Sequence, residues 1–236
     1  MLPIILSIII LALFIYKLFF FNWHPSLPKH FDHLNFFYYG HRGAPIVTPE
    51  NTLLSFETAI NNKLDGVELD VQLSKDNQMI VYHDRLINYN NKNVAITSLN
   101  LSDIKTIDVK NQFDNLDFQP IPTLEEVIHL LPSNMILNIE IKSYGWNNSK
   151  IIGKIIDLTT KKAINNQIII SSFDPFIIRK VKRINPLIST AFIWSNKSYY
   201  HYKIFSSYAK PDAFHINIDD VNKHITTFFN KKNIKI

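Results

Sequence analysis

The sequence predicts an α/β fold built on a parallel sheet. One pattern predicts it. Short apolar runs alternate with stretches of helical period along most of the chain. Such strand–helix repetition fits parallel strands joined by crossover helices. The choice lies between an open doubly wound sheet and a closed βα barrel. No glycine-rich dinucleotide loop follows the first strand, which counts against the open sheet.

In chain order, Phe36–Tyr39 reads as a strand ending at Gly40. Asn51 to Asn62 carries Leu53, Leu54, Phe56, Ala59 and Ile60 at helical spacing. Gly66–Leu73 and Met79–Tyr82 read as strands joined by the hairpin-like turn Ser74-Lys75-Asp76-Asn77. Asn88 to Gln119 is polar and irregular, with one short helical pattern around Ser102–Val109. Thr123–Leu131 reads as a helix, with Thr123 and Glu126 spaced as a capping box. A strand over Met135–Ile141, a helix over Ile151–Ala163 and a strand over Gln167–Ser171 follow. A helix from Asp174 stops before Pro186. Strands at Leu187–Ile193 and Ala213–Ile218, a helix near Val221–Asn230 and a strand start at Ile234–Ile236 complete the chain.

The N-terminus is a different material. Leu2 to Phe21 is apolar except for Pro3, Ser7 and Lys17. About twenty residues at about 1.5 Å each reach about 30 Å, the thickness of the hydrocarbon core. A cleaved signal peptide calls for a basic start and a small-residue cleavage site, and neither is present. Residues 1–21 are therefore expected to form an uncleaved transmembrane anchor, with Lys17 snorkelling and Trp23 at the interface. Asn22 to Leu34 carries Pro25 and Pro28 and reads as a linker, leaving 35–236 as the main domain. Lys17, Lys29 and Arg42 lie at or beyond the C-terminal end of the span and no Lys or Arg precedes it, which leans the domain after it toward the cytoplasm.

With 46% hydrophobic and 19% charged residues the chain can fill a sizeable core. The net charge of +5 is spread over short clusters such as Lys161–Lys162, Lys180–Arg183 and Lys231–Lys232, and reads mainly as solvated helix faces. Nothing resembles a nucleic-acid module. The absence of Cys excludes disulfides, zinc thiolate sites and thiol catalysis.

The polar residues that stand out sit at strand ends. His41-Arg42-Gly43 follows the first strand, and Pro49-Glu50-Asn51-Thr52 precedes the first helix after it. Glu68 and Asp70 lie in Gly-Val-Glu-Leu-Asp-Val, His83-Asp84 ends Met-Ile-Val-Tyr, and Glu140 and Lys142 lie in Asn-Ile-Glu-Ile-Lys. Residues i and i+2 of a strand share a face. Glu68 and Asp70 thus point one way while Val67, Leu69 and Val71 point the other. Taken singly, each has an ordinary reading: a strand-end carboxylate bonded to backbone amides, a snorkelling lysine, a structural histidine. His24, His30, His33, His129, His201 and His224 stay in that class. The set changes the reading. Two carboxylates on one strand face repel each other, and burying them uncompensated costs several kcal/mol. A bound cation resolves the conflict, and three carboxylates with no His or Cys between them describe a hard-metal site, Mg²⁺ or Ca²⁺.

This ordered set resembles the glycerophosphodiester phosphodiesterases. The segments that carry the resemblance are HRGAPIVTPENTLLSFETAI, DGVELDVQLSKDNQMIVYHD, IPTLEEVI, LNIEIK and IIISSFD, and it runs from about Phe36 to the last residue. It implies a (β/α)8 TIM-type barrel that cleaves glycerophosphodiesters to glycerol 3-phosphate and an alcohol. It implies Glu68, Asp70 and Glu140 as metal ligands, and His41 and His83 as catalytic histidines. It also implies that Arg42 and Lys142 face the phosphate. Glu50 and Asn51 are expected to orient His41 or to touch the metal's water shell.

Two departures shape the expectations. The family continues beyond a strand like Ile234–Ile236, so the barrel is expected to be incomplete at its C-terminus and open next to the first strand. The family also includes membrane-anchored members that act on lysophospholipids. A lysophospholipase D-type activity is therefore the closest enzymatic rival, and a truncated, inactive membrane-bound remnant the rival of another class.

Overall fold

The computed structural model describes residues 2–19, 25–27, 37–142, 148–164 and 167–236. The chain divides into two compact units, Met1–Leu27 with Ser172–Ile236, and Pro28–Ser171. It begins with helix α1 (Leu2–Phe19), whose described apolar side chains, Leu2 to Tyr16, are exposed. Among the described residues no helix is long and apolar enough to cross a membrane. The last residues of the expected anchor and most of the expected linker lie outside the described residues.

The unit Pro28–Ser171 carries the polar strand ends. It contains β1 (Tyr39–His41), α2 (Leu53–Asn61), β2 (Gly66–Leu73), β3 (Met79–Val81), β4 (Leu86–Tyr89), β5 (Lys92–Ala95), α3 (Leu101–Ile104), α4 (Leu124–Leu130), β6 (Ile136–Ile141), α5 (Asn148–Lys161) and β7 (Ile168–Ser172), which ends at the unit boundary. β1, β2, β6 and β7 are parallel neighbours in that order, and β3 pairs antiparallel with β2. The register sets His41 opposite Glu68, Asp70 opposite Glu140, and Glu140 opposite Ser171. Val67, Leu69 and Val71 alternate with the carboxylates and are fully buried, as are Phe56 and Ala59 of α2 and Leu124 and Val127 of α4. The expected capping box of α4 is present: Thr123 Oγ1 accepts from Glu126 N, and the Glu126 carboxylate accepts from Thr123 N.

The segment expected to be irregular, Asn88 to Gln119, contains most of a hairpin, β4–β5. Its turn is Asn90-Asn91, both with positive φ (52° and 61°), the backbone that a two-residue turn between right-twisted strands requires. The hairpin hides in the sequence because its strands are only four residues each. Ile80, Ile87, Ile96, Leu99, Ile104, Val109 and Ile121 form a separate core cluster that includes β3, β4 and α3.

The unit Met1–Leu27 with Ser172–Ile236 contains α1, α6 (Pro175–Ile184), β8 (Ser189–Trp194), α7 (Tyr202–Ala209), β9 (Ala213–Ile216) and α8 (Lys223–Asn230), with β8 and β9 parallel. α6 starts on Asp174, whose side chain accepts from Phe176 N, with Pro175 in the first turn. α7 is absent from the sequence expectation. It is only eight residues long, and Ser206 interrupts the apolar face made by Tyr202, Phe205 and Ala209. The expected strand at Ile234–Ile236 is a single parallel bridge between Ala213 and Lys235. Phe192, Phe214, Ile225, Phe229 and Ile234 fill the core.

One buried carboxylate ties this unit together. Asp212 is fully buried. Its Oδ2 accepts from Thr190 N (2.8 Å) and Lys182 Nζ (2.9 Å), and its Oδ1 from Ser26 N (2.8 Å). Ser26 O accepts in turn from Ser189 Oγ (2.8 Å), so part of the expected linker is bound to β8 and to the residue before β9. Asp212→Ala strands two backbone N–H groups and an ammonium. It is expected to lower stability by about 3 kcal/mol in urea unfolding, with Asp212→Asn retaining part of the loss.

Candidate active site

The site is built on the C-terminal ends of β1, β2 and β6 and on the loop after β3. β1 ends at His41, and the chain turns back immediately. Arg42 has φ 56° and Gly43 φ 92°. A Cβ on Gly43 would lie 2.3 Å from Ser55 Oγ, so the close approach admits only glycine. Ser55, at the start of α2, secures this loop. Its hydroxyl donates to Arg42 O (3.0 Å) and accepts from Ala44 N (2.7 Å). The turn aims Arg42 N at Glu68 Oε2 (3.0 Å).

Glu68, Asp70 and Glu140 are buried and point to one place. Each offers a carboxylate oxygen within 4.8 Å of the others. Two cations balance them. Lys142 Nζ lies 2.8 Å from Asp70 Oδ1 and 2.6 Å from Glu140 Oε1. Arg42 Nη1 lies 2.8 Å from Glu50 Oε1, and its Nε 3.4 Å from Asp70 Oδ2. Asn51, with φ 56°, donates from Nδ2 to Asp70 Oδ2 at 2.8 Å. Glu50 and Asn51 thus bind Arg42 and Asp70.

Glu68 has the weakest protein partners. Its Oε1 is buried with no hydrogen-bond partner. Burial, then the charges of Asp70 and Glu140, push its carboxyl up to about 8. Burial also raises Glu140, with Lys142 opposing and Asp70 adding to the rise. For Lys142, burial works against the charge, but Glu140 and Asp70 outweigh it and raise its pKa. An orphaned carboxylate oxygen beside two more carboxylates is what a divalent cation satisfies, and an all-oxygen donor set selects a hard one. Four carboxylates, Glu50 included, face the charges of Arg42 and Lys142, so a divalent ion closes the balance. The residues fit the metal.

The two histidines differ. The His41 side chain is 69% exposed, with Nε2 turned to within 3.8 Å of Glu68 Oε2. Desolvation on its inward side, then the neighbouring Arg42, holds its pKa below the usual histidine value. His83 lies in the loop after β3, close enough for its charge to act on Glu140. Its Nδ1 is 2.7 Å from Asp84 Oδ1. A carboxylate only accepts, which places the proton on Nδ1 and fixes the ring.

All nine residues singled out in the sequence fall in this region of one unit. Ser55 and Gln72 are the ones that sequence reasoning passed over. Ser55 is a small hydroxyl inside an otherwise apolar helical pattern. Gln72 continues the i, i+2 series of Glu68 and Asp70, and that spacing was the available signal.

The sequence pattern of the glycerophosphoryl diester phosphodiesterase family matches residues 41–236. The chain belongs to that family. A glycerophosphodiester phosphodiesterase of Caldanaerobacter subterraneus is 34% identical over 157 residues, 65% of this chain and 65% of that relative. The Bacillus subtilis enzyme is 33% identical over 165 residues, 64% of this chain and 56% of the relative. The matched stretch thus spans less than two thirds of either relative. Among solved structures, an Oleispira antarctica phosphodiesterase in complex with the product sn-glycerol-3-phosphate superposes with a TM-score of 0.77 at 22% identity, covering 87% of this chain and 84% of its own. The Thermotoga maritima glycerophosphodiester phosphodiesterase gives 0.66 at 26% identity, covering 86% and 84%. The fold is the TIM-like α/β fold of this family.

The pKa of Glu68 yields a test. Its raised value makes the metal-free protein lose stability as pH rises from the ordinary 4.5 through about 8. Glu68→Gln lacks that loss. The melting temperature of metal-free Glu68→Gln is therefore expected to rise relative to wild type with increasing pH, by about 2–4 °C for each kcal/mol gained. The variant is also expected to lose the stabilisation that excess Mg²⁺ or Ca²⁺ gives the wild type. Parallel melting curves from pH 5 to 8.5 check both.

Proposed function

We propose that this chain hydrolyses glycerophosphodiesters to glycerol 3-phosphate and a free alcohol, with one divalent cation, Mg²⁺ or Ca²⁺, held by Glu68, Asp70 and Glu140. The observation that carries the reading is the convergence of three buried carboxylates within 4.8 Å in the same unit as two histidines and two cationic side chains. Family membership and the glycerol phosphate held by the Oleispira relative support the substrate class.

The chemistry follows from the residues. A phosphodiester is a singly charged anion that gains charge on attack. Arg42 and Lys142 bring positive charge to its oxygens. The bound cation supplies Lewis-acid stabilisation of the same charge. His41 suits the role of base, because its lowered pKa keeps the ring neutral. It takes the proton of the attacking hydroxyl, from water or from the neighbouring glycerol carbon, as the new P–O bond forms. The bond to the alcohol breaks, and His83, oriented by Asp84 through Nδ1, gives its Nε2 proton to the leaving oxygen. Where water attacks, glycerol 3-phosphate forms directly; where the glycerol hydroxyl attacks, a cyclic phosphate forms and water then opens it to glycerol 3-phosphate.

Residues 1–21 would act as a membrane anchor, with Asn22 to Leu34 linking it to a catalytic part at 35–236. A helix that presents its apolar side chains to solvent over its described length supports this reading. A lipid bilayer removes that surface from water, and the basic residues after the span favour the cytoplasmic side. The anchor also keeps a lysophospholipid substrate in view beside the water-soluble diesters.

Purified protein assayed for glycerol 3-phosphate release from glycerophosphocholine, glycerophosphoethanolamine and a lysophospholipid tests the function. Release that needs the divalent ion and stops with EDTA is expected. Absence of turnover on all three substrates sinks the reading. His83→Ala is expected to lower kcat by about 10²–10⁴. The acid limb of kcat/KM is expected below the ordinary histidine pKa of about 6.5, since a base with a lowered pKa stays neutral to lower pH. For the anchor, removal of residues 1–21 is expected to move the protein from the membrane fraction to the soluble one. Protease should reach the catalytic part only after vesicles with the cytoplasmic face inside are opened.

A further inference from the structure

Gln72 has no place in the reaction outlined above, yet it is 2% exposed and sits two residues beyond Asp70 on the same face of β2. Its amide nitrogen donates to three successive carbonyls: Tyr82 O at 2.7 Å, His83 O at 3.2 Å and Asp84 O at 3.0 Å. Two amide hydrogens are shared among three acceptors. Three carbonyl oxygens converging on one point accept only a donor, which fixes the orientation of the amide without ambiguity. Its Oε1, on the other side, is buried with no partner. The position is thus built to present N–H groups to the 82–84 loop, at the expense of an unsatisfied oxygen.

We propose that Gln72 is a positioning residue for His83. Resting on the reading of His83 as proton donor, the inference adds what holds that donor in place. Other ties hold the loop near the ring. Tyr82 N donates to Asp70 O at 2.9 Å, which fixes the residue before His83 to the metal-ligand strand. Asp84 fixes the imidazole through Nδ1. Gln72 closes the gap between them by holding the backbone of His83 and Asp84 themselves. β2 therefore sets both partners of the reaction: Glu68 and Asp70 through their side chains, and His83 through Gln72. An error of about 1 Å in a catalytic group costs as much as about 10²-fold in rate, so a backbone tie at the acid has kinetic consequences.

Gln72→Glu is the sharpest test, because it keeps the shape and turns an acceptor toward three acceptors. Gln72→Ala removes the donor without adding charge. Both are measured alone and combined with His83→Ala, for kcat, KM and the melting shift given by Mg²⁺ or Ca²⁺. The His83 ring nitrogens are followed by ¹⁵N NMR. A fall in kcat of about 10–100-fold is expected, with KM and the metal-induced melting shift little changed. The His83 ring shifts should move, and the Gln72 substitutions should cause no further loss in the His83→Ala background. An undiminished kcat, unchanged His83 ring shifts, or an equal additional loss without His83 overturns the proposal. Loss of fold in both Gln72 variants also overturns it, by making the residue structural only. If His83→Ala is as active as wild type, the acid assignment fails. The ring shifts of His83 in Gln72→Glu then still decide whether Gln72 positions it.

Discussion

Strand register is the constraint on which the site depends. Asp70 and Glu140 meet because β2 and β6 pair with these two residues opposite each other, and His41 meets Glu68 by the same rule between β1 and β2. A slip of one residue would turn the carboxylates into the helix layer and bring Val67, Leu69, Val71, Ile139 and Ile141 onto the polar face. Those five side chains are all buried at 0–1% exposure, so the hydrophobic term that holds the sheet together also fixes the chemistry. At about 25 cal/mol per Å² of buried apolar surface, each is worth roughly 1.5–3 kcal/mol, and a slip forfeits most of it.

Charge follows from register. Once Asp70 and Glu140 are opposite each other, Lys142, two residues beyond Glu140, falls on the same face and reaches both. Arg42 arrives by a different route. Its backbone N–H binds Glu68 and its guanidinium binds Glu50 and approaches Asp70, so one residue couples the first loop to both carboxylates of β2. This coupling demands the left-handed turn after His41, and the turn in turn demands Gly43 against Ser55. Losing the Ser55 hydroxyl would free Arg42 O and Ala44 N together, although Ser55 itself touches no carboxylate.

Most of this arrangement was legible in the residues. β2 has the bounds that the sequence predicts, and the alternation of Glu68 and Asp70 with valine and leucine marks the face. The α4 capping box was legible because Thr123 and Glu126 satisfy each other locally. What escaped has a common cause: it lies where the partner is remote or the pattern is polar. Asn51 binds Asp70, nineteen positions away, and no local spacing announces that pairing. α7 buries serines where a helix usually shows leucines. β4 and β5 could have been found from Asn90-Asn91, since asparagine tolerates the positive φ that such a turn needs.

The departures from local ease are not scattered at random. Several residues with positive φ have ordinary reasons: Lys63, Ala163 and Lys210 end helices, and Asn77, Asn90 and Asn91 make tight turns. Arg42 and Asn51 end no helix and turn no hairpin, and each holds a site carboxylate. Buried polar atoms without a hydrogen-bond partner include Arg42 Nε, Glu68 Oε1 and Gln72 Oε1, in the first loop or on β2. Left-handed backbone in a non-glycine residue costs about 1–2 kcal/mol, and an unsatisfied buried group about 1–3 kcal/mol. A sheet assembled only for stability would avoid both. Their coincidence on β2 and the loop facing it means that the well-packed strand interiors beneath carry the strain of a polar layer above. A divalent cation between the three carboxylates would satisfy Glu68 Oε1.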